Sequence, residues 1–188
     1  MSSLIWLWYI GCAPSDNTTE TSCWQNVDNT WTSQMPPKDL TGSGFEMGET
    51  PPDMCMKDQF GNDVSLWQFY GQVVLLDVSS EWSGPSQVIA PEVQTIWTDY
   101  KDQGFMYLTL LTEDRVSAVP SVETLEQWVE DFSITAPVLS DVEGYREQLV
   151  PSAAYPKLIL FNRTMKVIND SITPVNADTV RRAIENSL

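Results

Sequence analysis

The sequence has no histidine. That removes the commonest general base and metal ligand near neutral pH, and with it any Ser-His or Cys-His pair within the chain. Cysteine is scarce. Cys12, Cys23 and Cys55 are the only three, and none forms a Cys-x-x-Cys pair, so neither a zinc ribbon nor a vicinal dithiol can be drawn. Bases are few as well, 10 against 26 acids, and the formal charge of −16 repels nucleic-acid phosphates and anionic lipid headgroups. No apolar run approaches the ~20 residues that cross a bilayer. The acid- and glycine-bearing "DQFGND" lacks calcium-loop spacing and reads as a turn. No metal or other cofactor is therefore expected, nor a nucleic-acid partner. What is present is globular: 42% hydrophobic and 19% charged over 188 residues suits one domain with an extension.

The extension comes first. "MSSLIWLWYIGCAPSDNTTE" carries an apolar run over residues 4–10, then turns abruptly polar after Cys12. Small residues before a cysteine at the end of a short apolar core resemble the bacterial lipoprotein signal. Ile10 and Gly11 fit that pattern, Tyr9 departs from it, and no Lys or Arg precedes the core. The resemblance implies cleavage before Cys12 and lipidation of its sulfur. The chain would then meet a membrane only through acyl chains, each buried methylene contributing about 0.8 kcal/mol. Residues 1–12 thus read as a signal segment. Residues 13–47, rich in Ser, Thr, Asn, Asp, Gly and Pro, read as a polar tether, with Trp24 and Trp31 as points where it docks.

Residues 48–188 are patterned as a domain. "DMCMKDQFGNDVSL" predicts a hairpin turning at "QFGND". "QVVLLDVSS" (72–80) and "FMYLTLL" (105–111) are continuous apolar runs, the mark of strands covered on both faces. Between them Ile89, Val93, Ile96, Trp97 and Tyr100 recur at helical spacing, with Pro91 expected to kink the helix and Gly104 to stop it. "SVETLEQWVEDF" (121–132) predicts a second helix, "APVLSD" a short strand and "EGYREQLV" a helical turn. Residues 156–162 and 166–172 predict a hairpin, and "NADTVRRAIENSL" a closing helix whose two adjacent arginines face solvent. The order predicts an α/β sandwich with parallel strands joined by helices and an antiparallel edge.

"WSGPSQVIAP" resembles the thioredoxin active-site segment, Trp-Cys-Gly-Pro-Cys followed by a helix with a proline five residues on. Trp82, Gly84, Pro85 and Pro91 match; Ser83 and Ser86 stand where the two cysteines belong. The preceding "DQFGNDVSLWQFYGQVVLLDVSS" is similar to the entry of membrane-tethered TlpA-type thiol–disulfide oxidoreductases of the redoxin superfamily. "AAYPKLILF" matches their cis-proline loop, and "TAPVLSD" their helix–strand insert. Over roughly residues 46–188 the resemblance implies a thioredoxin-like three-layer sandwich with an N-terminal hairpin and that insert. It puts the cis-proline at Pro156, a buried accessory acid at Asp77 and an active-site glutamate at Glu113. The peroxiredoxin pattern Pro-x-x-x-Thr-x-x-Cys is missing.

The chemistry the resemblance implies needs sulfur. A helix N-terminus stabilises the attacking thiolate below the free value of about 8.5, and a second thiol resolves the mixed disulfide. A serine hydroxyl does neither, and without a positioned base it is a poor nucleophile. Ser83 and Ser86 are accordingly expected to cap the helix. The groove formed by Trp82, Gly84, Pro85, Tyr155 and Pro156 is expected to bind a protein or peptide partner. Cys23 and Cys55 read as a disulfide worth about 3–4 kcal/mol, or as two free thiols. The alternative function is a thiol–disulfide oxidoreductase that works through that pair. The expected location is the bacterial cell envelope, as a periplasm-facing lipoprotein.

Overall fold

The computed structural model describes residues 23–188. The signal segment 1–12, the candidate lipidation site Cys12 and the first part of the tether lie outside them. A 3-10 turn, Cys23–Asn26, opens the described chain. The hairpin pairs β1 (Cys55–Asp58) with β2 (Asp63–Ser65), and Gly61, at φ +80°, takes the left-handed conformation its turn needs. Then come β3 (Val73–Ser79), α1 (Gly84–Tyr100), β4 (Phe105–Leu111) and α2 (Val122–Phe132). They are followed by β5 (Val138–Ser140), α3 (Arg146–Leu149), β6 (Lys157–Phe161), β7 (Val167–Asn169) and α4 (Ala177–Glu185).

The seven strands form one sheet in the order β2-β1-β5-β4-β3-β6-β7. β3, β4 and β5 run parallel, while β6 lies antiparallel to β3, β7 to β6 and β1 to β5. Every residue of β3 and β4 is buried, as their largely apolar runs lead one to expect of strands covered on both faces. On one face Val73, Leu75, Phe105 and Tyr107 meet Ala90, Val93 and Ile96 of α1, Leu125 and Trp128 of α2, and Val180 and Ile184 of α4. On the other face Val74, Leu76, Val78, Leu108 and Leu110 lie in one cluster with Phe45 of the N-terminal arm, Leu66 and Phe69 after the hairpin, and Leu149 of α3. The result is the three-layer sandwich.

Local chemistry sets the helix ends. α1 starts at its N-cap Ser83, runs unbroken through Pro91, and passes through a 3-10 turn to Gly104, whose φ of +79° ends it. α2 starts at Ser121 and α4 at Asn176, each side chain accepting a backbone N–H three residues on. Two expectations need correction. The strand expected over 166–172 stops at Asn169, because the Asn169 side chain accepts the N–H of Ser171 and turns the chain. The arginines of α4 do not simply face solvent. Arg181 pairs with Asp99 of α1 at 2.6 Å and lies over the Tyr100 ring, while Tyr100 donates to Glu185 at 2.6 Å, so α4 is clamped along α1.

From Cys23 on, the stretch with tether composition lies against the domain. Trp31 donates its indole N–H to the buried Asp58 at 2.8 Å and stacks on Phe60. Asn29 and the buried Gln68 exchange two amide hydrogen bonds, each 3.0 Å. Gln34 bridges to Phe69, and Phe45 enters the core. Cys23 and Cys55 are joined by a disulfide, their Cα atoms 5.5 Å apart, which fixes the start of this arm to the first residue of β1.

Candidate functional site

The site forms where β3 hands over to α1. Ser83 occupies the N-cap with extended backbone (φ −77°, ψ 115°), and its Oγ accepts the N–H of Ser86 at 3.3 Å. Pro85 follows within the first turn, where a missing N–H costs nothing. Gly84 is not forced by packing, since nothing lies within 4 Å of where its Cβ would stand. Ser83 is 3% exposed; Ser86, expected to cap the helix as well, does not, because it lies fully buried inside the first turn and its Oγ has no hydrogen-bond partner. A serine at that position is therefore paid for in lost hydration without a compensating bond.

The cis Tyr155–Pro156 bond forms the opposite wall. The Tyr155 ring meets Trp82 edge to face, centroids 5.6 Å apart. Its hydroxyl contacts Thr112 Oγ1 at 2.8 Å, accepts from Arg146 Nε at 3.1 Å and lies 3.4 Å from Glu113 Oε2. Glu113 gathers the site. One oxygen pairs with Arg146 Nε at 3.1 Å, and the other accepts the Trp82 indole N–H at 3.0 Å. This carboxylate is a clamp between the two walls rather than a loop acid in solvent. Glu81 adds a second tie. Its N–H donates to the Glu113 carbonyl, its carbonyl accepts from Gln87, and its carboxylate pairs with Arg115 at 2.6 Å.

The structure thus brings together Trp82, Ser83, Gly84, Pro85, Ser86, Glu113, Tyr155 and Pro156. Cys23 and Cys55 stand apart. The register carries Lys57 to Ser140, Ser140 to Leu111 and Leu111 to Ser79, about 14 Å across three strand spacings, so the disulfide is at the same end of the sheet as the site but three strands over. Sequence reading missed Arg146, Arg115, Glu81 and Thr112. Arg146 is the sole base in a stretch read only as a helical turn, and nothing local marks it as a residue of the groove. The alternation of β3 puts Asp77 on the α1 side of the sheet, in line with Val73 and Leu75. It accepts from Ser79 Oγ at 2.7 Å and Tyr107 OH at 3.1 Å, hydroxyl donors rather than backbone ones.

Burial pushes the Asp77 carboxyl up from 3.8 to about 6, against the lowering effect of those two hydroxyls, and burial likewise pushes Tyr107 upward. Below about pH 4, Asp77 is protonated whether folded or not and carries no penalty. Between about pH 4 and 6 the folded chain holds its proton while the unfolded chain has lost it, so stability falls as pH rises. The full penalty, about 3 kcal/mol, is present above that range. Asp77→Asn should therefore become progressively more stable than the parent from pH 4 to pH 7. Urea unfolding across that range reads the difference, and a constant gap between the two proteins contradicts it.

Chemically, the arrangement holds its side chains in place and offers no activated nucleophile at Ser83. Ser83 has no histidine to take its proton, and both Glu113 oxygens are engaged. Among the described residues no group of three potential ligands is placed to hold a metal ion, and no helix is long and apolar enough to cross a membrane.

Known proteins resemble this chain in sequence and fold. The chain is 26% identical over 101 residues to the thioredoxin-like protein YneN of Bacillus subtilis, covering 54% of this chain and only 57% of that one. It is 23% identical over 126 residues to the thiol-disulfide oxidoreductase ResA of Bacillus thuringiensis, 67% of this chain and 69% of that one. Among solved structures, the thioredoxin domain of a thiol-disulfide oxidoreductase from Bacteroides vulgatus superposes with a TM-score of 0.63 at 22% identity, over 75% of this chain and 96% of that one. A thiol:disulfide interchange protein DsbE from Chlorobium tepidum gives 0.61 at 22% identity, over 76% and 94%. These superpositions identify a thioredoxin-like α/β fold built on a mixed seven-strand sheet. The AhpC/TSA family model matches residues 47–169, from the approach to the hairpin to the end of β7, and this chain belongs to the AhpC/TSA family.

Proposed function

We propose that this chain is a TlpA-type domain of the cell envelope, lipid-anchored through Cys12, which binds an extended protein or peptide segment in the groove at Ser83 and does not run a disulfide cycle there. The observation that carries this reading is the start of α1. Ser83 and Ser86 occupy the two positions where the resemblance calls for sulfur, and Ser83 spends its oxygen on the N–H of Ser86. Family membership sets the architecture, while the residues at the site decide the chemistry. The relatives named as thiol-disulfide oxidoreductases supply the expected reaction, and the serines remove the atoms it needs.

The groove does not depend on sulfur. Trp82, Tyr155 and the Glu113–Arg146 pair hold one another, so its walls are in place before a partner arrives. A preorganised groove binds at lower entropic cost than one ordered by its ligand.

The test has two arms. The unmodified protein, supplied with glutathione and a fluorogenic disulfide substrate, is expected to show no turnover above background, and Cys23→Ser/Cys55→Ser is expected to behave identically. Crosslinking from a photoreactive group attached beside the groove in cells is expected to capture a protein, and Tyr155→Ala to cut the yield by about tenfold or more, as loss of a buried aromatic anchor does. Turnover by the unmodified chain that disappears with Cys23→Ser/Cys55→Ser would establish the disulfide as the redox centre instead. Crosslinking indifferent to Tyr155→Ala would rule out the groove as the binding surface.

A further inference from the structure

A second concavity lies beside the residues that lead into α3. It is a cleft of about 990 Å³ between the N-terminal arm and the domain, with the Cys23–Cys55 disulfide in its wall. Trp24, Trp67 and Tyr145 line it, each half-buried, together with Pro36, Pro37 and Pro52. Tyr145 is the neighbour of Arg146, so the cleft adjoins the groove at Ser83 while sharing none of its lining.

The three aromatics are held around one residue. Asp53 accepts the backbone N–H of Trp24 at 3.0 Å and that of Trp67 at 3.3 Å, and also binds Ser65 Oγ. The Tyr145 hydroxyl lies 3.4 Å from the Asp53 carbonyl and 3.0 Å from Glu143 Oε2. Trp67 donates its indole N–H to the Pro51 carbonyl at 3.0 Å. The wall is therefore built before any ligand arrives, and its main acceptors are already engaged.

We propose that this cleft is a second binding site, which takes a proline-rich segment flanked by lysine or arginine from a partner protein. An aromatic wall with its polar atoms committed favours ring and aliphatic stacking over a ligand that needs many hydrogen bonds, which disfavours a sugar. Proline suits such a wall: it brings an apolar ring, no N–H to satisfy, and a chain already extended before binding. Charge selects the flanks. Asp53 and Glu143 stand against Lys38 in the cleft, and the whole chain carries −16, a field that draws in a cationic segment.

The test titrates the oxidised full-length chain with a synthetic peptide of repeated Arg-Pro-Pro units, followed by tryptophan emission and calorimetry. Saturable binding is expected, about tenfold or more tighter than to the same peptide with alanine in place of proline. Trp24→Ala and Tyr145→Ala should each weaken it by about tenfold or more. The exposed Glu143→Lys, which removes no core contact, should weaken the arginine peptide by about threefold and leave a Gln-Pro-Pro peptide unaffected. Tyr155→Ala should leave both unchanged, which separates this site from the groove at Ser83. The proposal is overturned by absence of saturable binding, by equal affinity for the alanine peptide, or by binding that survives Trp24→Ala and fails in Tyr155→Ala. Tighter binding of a neutral oligosaccharide at the same tryptophans would overturn it as well.

Discussion

Ser83→Cys/Ser86→Cys is expected to reduce a fluorogenic disulfide substrate at least about 100-fold faster than the unmodified protein, since supplying or removing a nucleophile acts on rate by orders of magnitude. The scaffold such a pair needs is present. The first position is the N-cap of a seventeen-residue helix, where free amide donors and the helix dipole favour a thiolate. The N–H of Ser86, which now points at the Ser83 oxygen, would point at sulfur instead. The second position is one helical turn on and fully buried, suited to a resolving thiol shielded from outside disulfides. The new thiols should also close reversibly, so that oxidised glutathione shifts the mass of the double variant by one further disulfide. A double variant that folds, closes this bridge and still turns over no faster than the parent would show that more than two sulfur atoms separates this groove from an oxidoreductase.

The other large effect concerns stability. Cys23 and Cys55 are 32 residues apart in sequence, and releasing a loop of that length should lower the unfolding free energy by about 4 kcal/mol on the chain-entropy account. Cys23→Ser/Cys55→Ser should therefore lose its urea midpoint well below that of the parent, and reduction of the parent should reproduce the shift. The loss should be concentrated in the arm. Trp31 on Asp58 and Asn29 on Gln68 would remain as anchors, and Trp24 would keep its backbone bond to Asp53 but lose the tie at the residue before it. Hydrogen exchange should quicken first in residues 23–40, while the most protected amides of β3 and β4, which exchange only through global unfolding, should quicken in step with the fall in overall stability. Equal stability of the double variant and the parent would mean that the arm is held by its other contacts alone.

Much of the fold was legible because its signals are local. The predominantly apolar runs of β3 and β4 mark strands covered on both sides, and Ser121, Asn176 and Gly104 mark helix boundaries by chemistry that acts over a few residues. The arm was legible only in part: Trp31 docks and Cys23 pairs with Cys55 as read, but the partners of its other residues were hidden for the opposite reason. Its composition is that of a linker, and its anchors, Asn29 to Gln68 and Trp31 to Asp58, span 39 and 27 residues. The site divides in the same way. Trp82, Ser83, Pro85 and Ser86 are contiguous and were read directly. Arg146 joins Glu113 and Tyr155 only because α3 folds back over the end of β4, and nothing in "EGYREQLV" shows where its one base will point. Arg181 was misread likewise, since its partner Asp99 is 82 residues away.

At both margins the sheet tapers to a strand of three residues, β2 on one side and β7 on the other. β2 is further fenced by the Lys57–Asp63 ion pair at its start. A neighbouring copy seeking to add its own strand would find almost no open ladder, and it would have to approach against like charge. Crowding many such molecules onto one surface should thus leave them separate instead of seeding a fibril.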